Sequence, residues 1–329
     1  LLWNGQQVRK ALAKDILFGI AIGDALGVPV EFQSRDSLKA NPVVGMREFG
    51  TYYQPKGTWS DDSSLTFCLA ESLVNGYDLK EIAHKFVQWK NEAYWTPHGK
   101  VFDIGITTSM AISKLDSFLK NDEYDKLHSL KSNDDDQANG NGSLMRILPL
   151  LFLTFGKSIH NQFNLIWEVS SLTHYHVRSA IACLIYLRFA ENYLKTESKS
   201  QAYALTQKDI QLFFSESNLA IDEVVLFNRI IEANIFECDE VEISSSGYVL
   251  HSLEASLWCI MNYNSFDEAV PAAVNLGGDT DTTAAITGGL AGIIYGIDSI
   301  PSEWCDSLAR KNDILELSER LDRKCQLIH

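Results

Sequence analysis

The chain has 329 residues, 46% of them hydrophobic and 22% charged, with a formal net charge of -15. That balance describes a globular chain able to bury a core, and it excludes disorder. It also excludes a broad nucleic-acid or anionic-membrane surface, because phosphate contacts need clustered Lys and Arg.

In chain order, Leu1-Leu2-Trp3-Asn4-Gly5 lacks a charged region followed by an apolar block, so no signal peptide is expected. Apolar residues at helical spacing predict helices over 11–26, 65–74, 110–119, 180–193, 249–261 and 283–295. Period-two alternation bounded by turns is scarce, so the fold class is all-α. Pro29 follows the first helix, Pro149 marks a turn or bend, and Pro301 starts a late helix. Residues 131–143 read as an acidic loop that runs into Gly140-Asn141-Gly142-Ser143; EF-hand spacing with its terminal Glu is absent. Gly288, Gly289 and Gly292 sit in an apolar helix, where each costs about 1 kcal/mol relative to Ala, and they are expected to admit a neighbouring backbone. The segment from Ala284 to Ile297 is shorter than the roughly 20 residues a bilayer requires, so no transmembrane helix is expected. The six cysteines, with no CxxC spacing, read as small residues in a reducing, cytoplasmic compartment.

Two oxygen-rich helix starts stand out: Thr58-Trp59-Ser60-Asp61-Asp62 and Gly277-Gly278-Asp279-Thr280-Asp281-Thr282. Ser60 is the expected N-cap of its helix, with Asp61 and Asp62 in the first turn, where the helix dipole favours carboxylates. Gly277-Gly278 supplies a turn with permitted positive φ before Asp279, Asp281 and Thr282 open the next helix. Either cluster alone is explained by capping. Together they exceed what capping requires, and hard oxygen ligands suit Mg²⁺, Mn²⁺ or Ca²⁺ better than a soft thiolate-binding metal. If the two starts build one site, residues 1–329 form a single domain.

With these two clusters, ordered blocks run along nearly the whole chain. They are Gly19 to Phe32, Gly57 to Asp62, Asp103-Ile104-Gly105, Asn141-Gly142-Ser143-Leu144-Met145-Arg146, Thr173-His174, Gly247-Tyr248-Val249 and Asn275 to Ala285. On these blocks the chain resembles the ADP-ribosylglycohydrolase family. The resemblance implies a compact multi-helix domain around a dinuclear Mg²⁺ or Mn²⁺ site held by Ser60, Asp61, Asp62, Asp279, Asp281 and Thr282. Ser60 stands where many relatives have Thr and keeps the hydroxyl.

The resemblance also implies roles for other residues. Glu31 is a catalytic candidate, as general base or general acid, with direct metal ligation as the competing role. Asp103 is a second candidate, orienting a cationic leaving group or capping the helix that it precedes. Asn141, Gly142 and Ser143 offer N–H groups and a hydroxyl to a diphosphate, although a lone Gly-Asn-Gly is more often a turn. His174 is expected near ribose or phosphate, and His176 has no comparable support. Tyr248 stacks on the adenosine or simply packs with its hydroxyl bonded. Gly277 and Gly278 complete the substrate-binding set. Arg146 stays outside it, a buried structural ion pair being an equal reading.

The expected activity is metal-dependent hydrolysis of the bond between ADP-ribose and an acceptor, foremost the guanidinium of arginine on a modified protein. The alternatives are another ADP-ribosyl linkage (serine or O-acetyl), a non-catalytic ADP-ribose-binding or structural relative, and a two-metal nucleotide phosphohydrolase.

Overall fold

The computed structural model describes residues 2–3, 6–7, 11–133 and 139–327. Its long helices are α1 Leu12–Gly27, α2 Asp61–Asn75, α3 Leu79–Glu92, α4 Ile106–Lys120, α5 Ile159–Ser171, α6 Val177–Thr196, α7 Lys199–Glu216, α8 Val249–Asn262, α9 Phe266–Asn275, α10 Thr280–Tyr295 and α11 Lys311–Leu327. Short 3-10 and α-helical turns connect them, and the β-structure among the described residues is a two-residue antiparallel pair, Leu2–Trp3 with Gln6–Gln7, plus isolated bridges. The all-α expectation therefore holds. No helix among the described residues is long and apolar enough to cross a membrane.

Local sequence explains where these helices begin and which faces they bury. Ser60 caps α2 by accepting the Asp62 N–H at 3.3 Å, and Asp78 caps α3 through the N–H groups of Lys80 and Glu81. Along α3, Leu79, Ile82, Ala83, Phe86, Val87 and Trp89 are buried, the three-to-four spacing of a helix with one wet face. In α1, by contrast, every residue but Lys14 is buried, including Asp15 and Asp24. A helix buried all round lies at the centre of a domain.

Its closest neighbour is α10, and the two backbones approach through small residues, as Gly288 and Gly292 led one to expect. A Cβ added to Gly23 would lie 2.0 Å from the carbonyl oxygen of Ala284. Nothing at that contact is a flexible side-chain tip, so the helices would have to separate. Gly23→Ala is expected to destabilise the protein by at least ~1–3 kcal/mol, read as a lowered Tm in thermal melts. A melt within about one degree of the parent would show that this seam can open freely.

The seam matters because it delivers both oxygen-rich helix starts to one place. The front of α10 lies against the end of α1, and α2 packs beside both. Thr282 Oγ1 reaches Asp62 Oδ2 at 3.3 Å across a separation of 220 residues.

Pro149 lies within a 3-10 turn, Leu148–Leu150, in line with the expected turn or bend, and the Gly140–Ser143 segment leads into a second such turn, Leu144–Arg146. Residues 134–138 of the expected acidic loop lie outside the described residues. The cap position of α4 is Gly105, so Asp103 does not cap it.

Candidate active site

Four chain segments meet at the end of α1. Glu31 follows the 3-10 turn Val28–Val30, Ser60 to Asp62 open α2, Asp103 precedes α4, and Asp279 to Thr282 open α10. Glu31, Ser60, Asp61, Asp62, Asp281 and Thr282 are all buried.

Hydrogen bonds hold the two helix fronts together. Ser60 Oγ donates to Asp62 Oδ2 at 2.9 Å, the same oxygen that the Thr282 hydroxyl approaches. Asp281 Oδ1 accepts the Thr282 N–H at 2.9 Å. Asp279 stands at the N-cap of α10 but accepts no capping hydrogen bond; its Oδ2 instead accepts from the Asn141 amide at 2.8 Å.

Beneath α2 lies Asp24, fully buried in α1. It accepts the Ser60 N–H on both oxygens at 2.9 Å, the Ser63 N–H at 3.0 Å and the Ser63 hydroxyl at 2.6 Å. These bonds meet the orphan N–H groups of the α2 front, and so fix how Ser60 to Asp62 present themselves.

Two carboxylate groups result. Asp24, Asp62 and Asp281 each offer an oxygen, all within 4.8 Å of one another, as do Glu31, Asp279 and Asp281. Asp281 belongs to both. Asp62 Oδ1, Asp281 Oδ2 and Glu31 Oε2 are buried without a hydrogen-bond partner. Clustered buried carboxylates of this kind need either protons or cations. The protein without cations would keep protons: burial, then the neighbouring acids, push Asp61, Asp62 and Asp281 well above the usual carboxylate range. Burial, then Asp103, pushes Glu31 up to about 8. Burial pushes Asp24 up to about 7 against the opposing bonds from Ser63 and Ser60. An all-oxygen donor set with three orphaned oxygens fits hard divalent cations.

The expected ligands do not contribute equally. Asp62, Asp279 and Asp281 fall in these groups, and Ser60 and Thr282 bond to Asp62. Asp61 belongs to neither group; the acid that acts on it most strongly is Asp103. Tyr52 lies beside both Glu31 and Asp103, and burial followed by Glu31 pushes the Tyr52 phenol far up.

The expected substrate contacts form a second cluster beside the first. Asn141 Nδ2 bridges Asp279 and the Ser252 hydroxyl, both at 2.8 Å, and its own N–H is bonded to Gly247 O. The N–H groups of Gly142 and Ser143 donate to no acceptor among the described residues. The Ser143 hydroxyl is fully buried and lies 3.7 Å from Cys183 Sγ, so it faces the core, contrary to its expected opening toward a diphosphate. His174 packs so closely on Gly142 that a Cβ there would sit 2.5 Å from the ring. Burial, then Arg146, depresses His174 to about 3, so the imidazole is neutral and acts through hydrogen bonding, with Nδ1 at 2.8 Å from the Thr173 hydroxyl.

Tyr248 caps α8, takes a 3.3 Å hydrogen bond from Arg178, and meets His251 edge-on. Gly277 and Gly278 have φ of 80° and 72°, yet both N–H groups are engaged, with Val274 O and Gln33 O. Their visible role is to brace the strand of chain carrying Glu31, since Gly278 O in turn accepts the Phe32 N–H at 2.8 Å.

Arg146 forms no ion pair among the described residues. Fully buried, it donates to the carbonyls of Gly142, Val169 and Ser170 and lies over the Phe86 ring, tying the Gly142 turn to the end of α5, just before His174. His176 similarly reaches Asn139 at 3.0 Å and the Asn133 carbonyl at 3.3 Å, and so supports this cluster from below. Sequence reasoning assigned no role to Asp24 or Tyr52. A carboxylate inside an otherwise apolar stretch of α1 was the available signal for Asp24, whereas Tyr52 carried none.

Comparison with known proteins identifies the family. The ADP-ribosylglycohydrolase family model matches residues 6–328. The ADP-ribosylarginine hydrolase Tri1 of Serratia proteamaculans (strain 568) is 35% identical over 312 residues, covering 94% of this chain and 78% of that protein. The ADP-ribosyl-dinitrogen reductase glycohydrolase of Rhodospirillum rubrum is 25% identical, covering 89% of this chain and 88% of that protein. Among solved structures, an ADP-ribosylglycohydrolase-related protein complex superposes with a TM-score of 0.77 at 27% identity, over 96% of this chain and 98% of that one.

Proposed function

Because the chain belongs to the ADP-ribosylglycohydrolase family of enzymes, we propose that it hydrolyses the N-glycosidic bond between ADP-ribose and the guanidinium of arginine on a modified protein. The observation that carries this reading is the pair of buried carboxylate groups sharing Asp281, with Glu31 in one of them and Asp103 acting strongly on it.

In this reading Ser60, Asp61, Asp62, Asp279, Asp281 and Thr282 hold two divalent cations, Mg²⁺ or Mn²⁺. Asp24 holds the α2 front from beneath. Bound there, such cations would supply positive charge to grip vicinal ribose hydroxyls and fix the anomeric carbon. Glu31, its proton affinity raised by burial, takes the proton of the attacking water at its unpartnered Oε2. The C–N bond breaks as water adds, the arginine leaves as a neutral guanidine that takes up the proton, and Asp103 accepts hydrogen bonds from its N–H groups, with Tyr52 beside both carboxylates.

The unpartnered N–H groups of Gly142 and Ser143, beside neutral His174, face the demand of the diphosphate. In the same reading Tyr248 packs against the adenosine. Cys68, Cys183, Cys238, Cys259 and Cys305 are free thiols, in keeping with a cytoplasmic location.

A panel of linkages tests the reading. With Mg²⁺ or Mn²⁺ present, the protein is expected to release intact ADP-ribose from ADP-ribosyl-arginine at least about tenfold faster than from serine-linked or O-acetyl-ADP-ribose, a margin of ~1.4 kcal/mol. Preference for either of the latter would reassign the linkage. Release of AMP would move the chemistry to the diphosphate.

A further inference from the structure

Phe32 follows the candidate catalytic Glu31 directly, and it is 70% exposed. Its φ is 67°, in the left-handed region that a bulky side chain rarely adopts. The neighbouring chain enforces that conformation. Phe32 N–H donates to Gly278 O at 2.8 Å, Gln33 N–H to Val30 O at 3.0 Å, and Thr51 Oγ1 to the Glu31 carbonyl at 2.8 Å. A strained, exposed aromatic residue survives where the surroundings over-determine it, and such outliers gather at ligand clamps.

The ring has neighbours that give the exposure a direction. Its centroid lies 6.5 Å from that of Tyr52, which lies 5.3 Å from Phe102, beside Asp103. Tyr52 is the residue that lies beside both Glu31 and Asp103. Aromatic faces and edges thus line the same mouth as two carboxylates, in a chain carrying a net charge of -15. A flat cation is the chemistry that meets both demands, stacking on a ring while its N–H groups point at carboxylate oxygens.

Resting on the arginine-linked reading above, we infer that Phe32, continued by Tyr52 and Phe102, forms an aromatic wall that selects a planar guanidinium as the leaving group. The wall acts on the acceptor side of the scissile bond and leaves the ADP-ribose side untouched. The strain at Phe32 is what keeps its ring at the mouth.

The test separates ring, bulk and backbone. In Phe32→Gly the left-handed conformation carries no strain, so Tm is expected to stay level or rise, which removes misfolding as an explanation. KM for ADP-ribosyl-arginine is expected to rise roughly tenfold with kcat little changed, whereas the inhibition constant of free ADP-ribose moves by less than about twofold. Phe32→Tyr is expected to retain the parent KM, and Phe32→Leu to behave as Phe32→Gly. An unmoved KM overturns the inference, and so does an ADP-ribose inhibition constant that rises in step with KM or a KM that Leu restores. The parent protein serves as the separate control: if it releases ADP-ribose from other linkages and not from arginine, the proposed function itself has failed.

Discussion

Asp281→Ala is expected to lower kcat/KM for ADP-ribose release by at least about three orders of magnitude, or ~4 kcal/mol of transition-state stabilisation. Asp281 is the carboxylate common to both groups among the described residues, so its removal takes one carboxylate from each at once. Asp24→Asn is expected to cost less, on the order of 10–100-fold, because Asp24 is already engaged by Ser60 and Ser63 and acts by orienting the α2 front. Steady-state kinetics at saturating Mg²⁺ or Mn²⁺ would rank them. Comparable losses in the two variants would remove the case for a shared ligand. Melting offers an independent readout: after EDTA treatment, Asp281→Ala is expected to be more stable than the parent, having lost a buried carboxyl whose Oδ2 finds no hydrogen-bond partner among the described residues.

The same crowding makes stability depend on pH and on metal together. Glu31, raised from 4.5 to about 8, and Asp24, raised from 3.8 to about 7, bind protons more tightly in the folded protein than in the unfolded chain. Their stabilising contribution is therefore complete below about pH 4 and is lost as pH rises through about 7 to 8. Each unit of difference is worth ~1.4 kcal/mol, so the combined loss is on the order of several kcal/mol. After EDTA treatment the protein is expected to melt lower at pH 8.5 than at pH 6. Because cations compete with these protons, adding Mg²⁺ or Mn²⁺ should raise Tm by roughly 5–10 °C at the higher pH, and by less at the lower, for about a hundredfold excess over Kd. A metal-induced shift that is equal at both values would falsify the linkage between the acidic groups and the cation.

Much of this site was legible in the order of residues. Ser60, Asp61 and Asp62 announce themselves because a helix start is local: a capping hydroxyl, acids in the first turn and an apolar run behind them lie within a few positions. Glycines at 288 and 292 told of close backbone approach because an apolar helix has little other use for them. The departures share one cause. Arg146 was given an ion pair as an equal reading, yet its partners are backbone carbonyls, which every residue possesses and no sequence pattern marks. Ser143 belongs to a block that reads as phosphate-binding, but its side chain turns toward Cys183 in the core. Asp24 was hidden in α1 because a carboxylate among apolar residues does not alter helical spacing, and Tyr52 sits in a turn with no periodicity to interpret.

By itself the sequence determined the all-helical class, the caps, the hard-oxygen character of the ligands and the family to which the ordered blocks belong. All of these follow from neighbours a few residues apart, whose spacing the backbone sets. Tertiary structure alone decided that Asp281 is shared by two carboxylate groups while Asp61 joins neither, that Asp24 supports the α2 front, and that the exposed Phe32 ring stands beside Tyr52. Those outcomes depend on how closely α1 and α10 approach. That distance comes from side-chain and backbone packing between residues more than two hundred positions apart, and no local spacing encodes it.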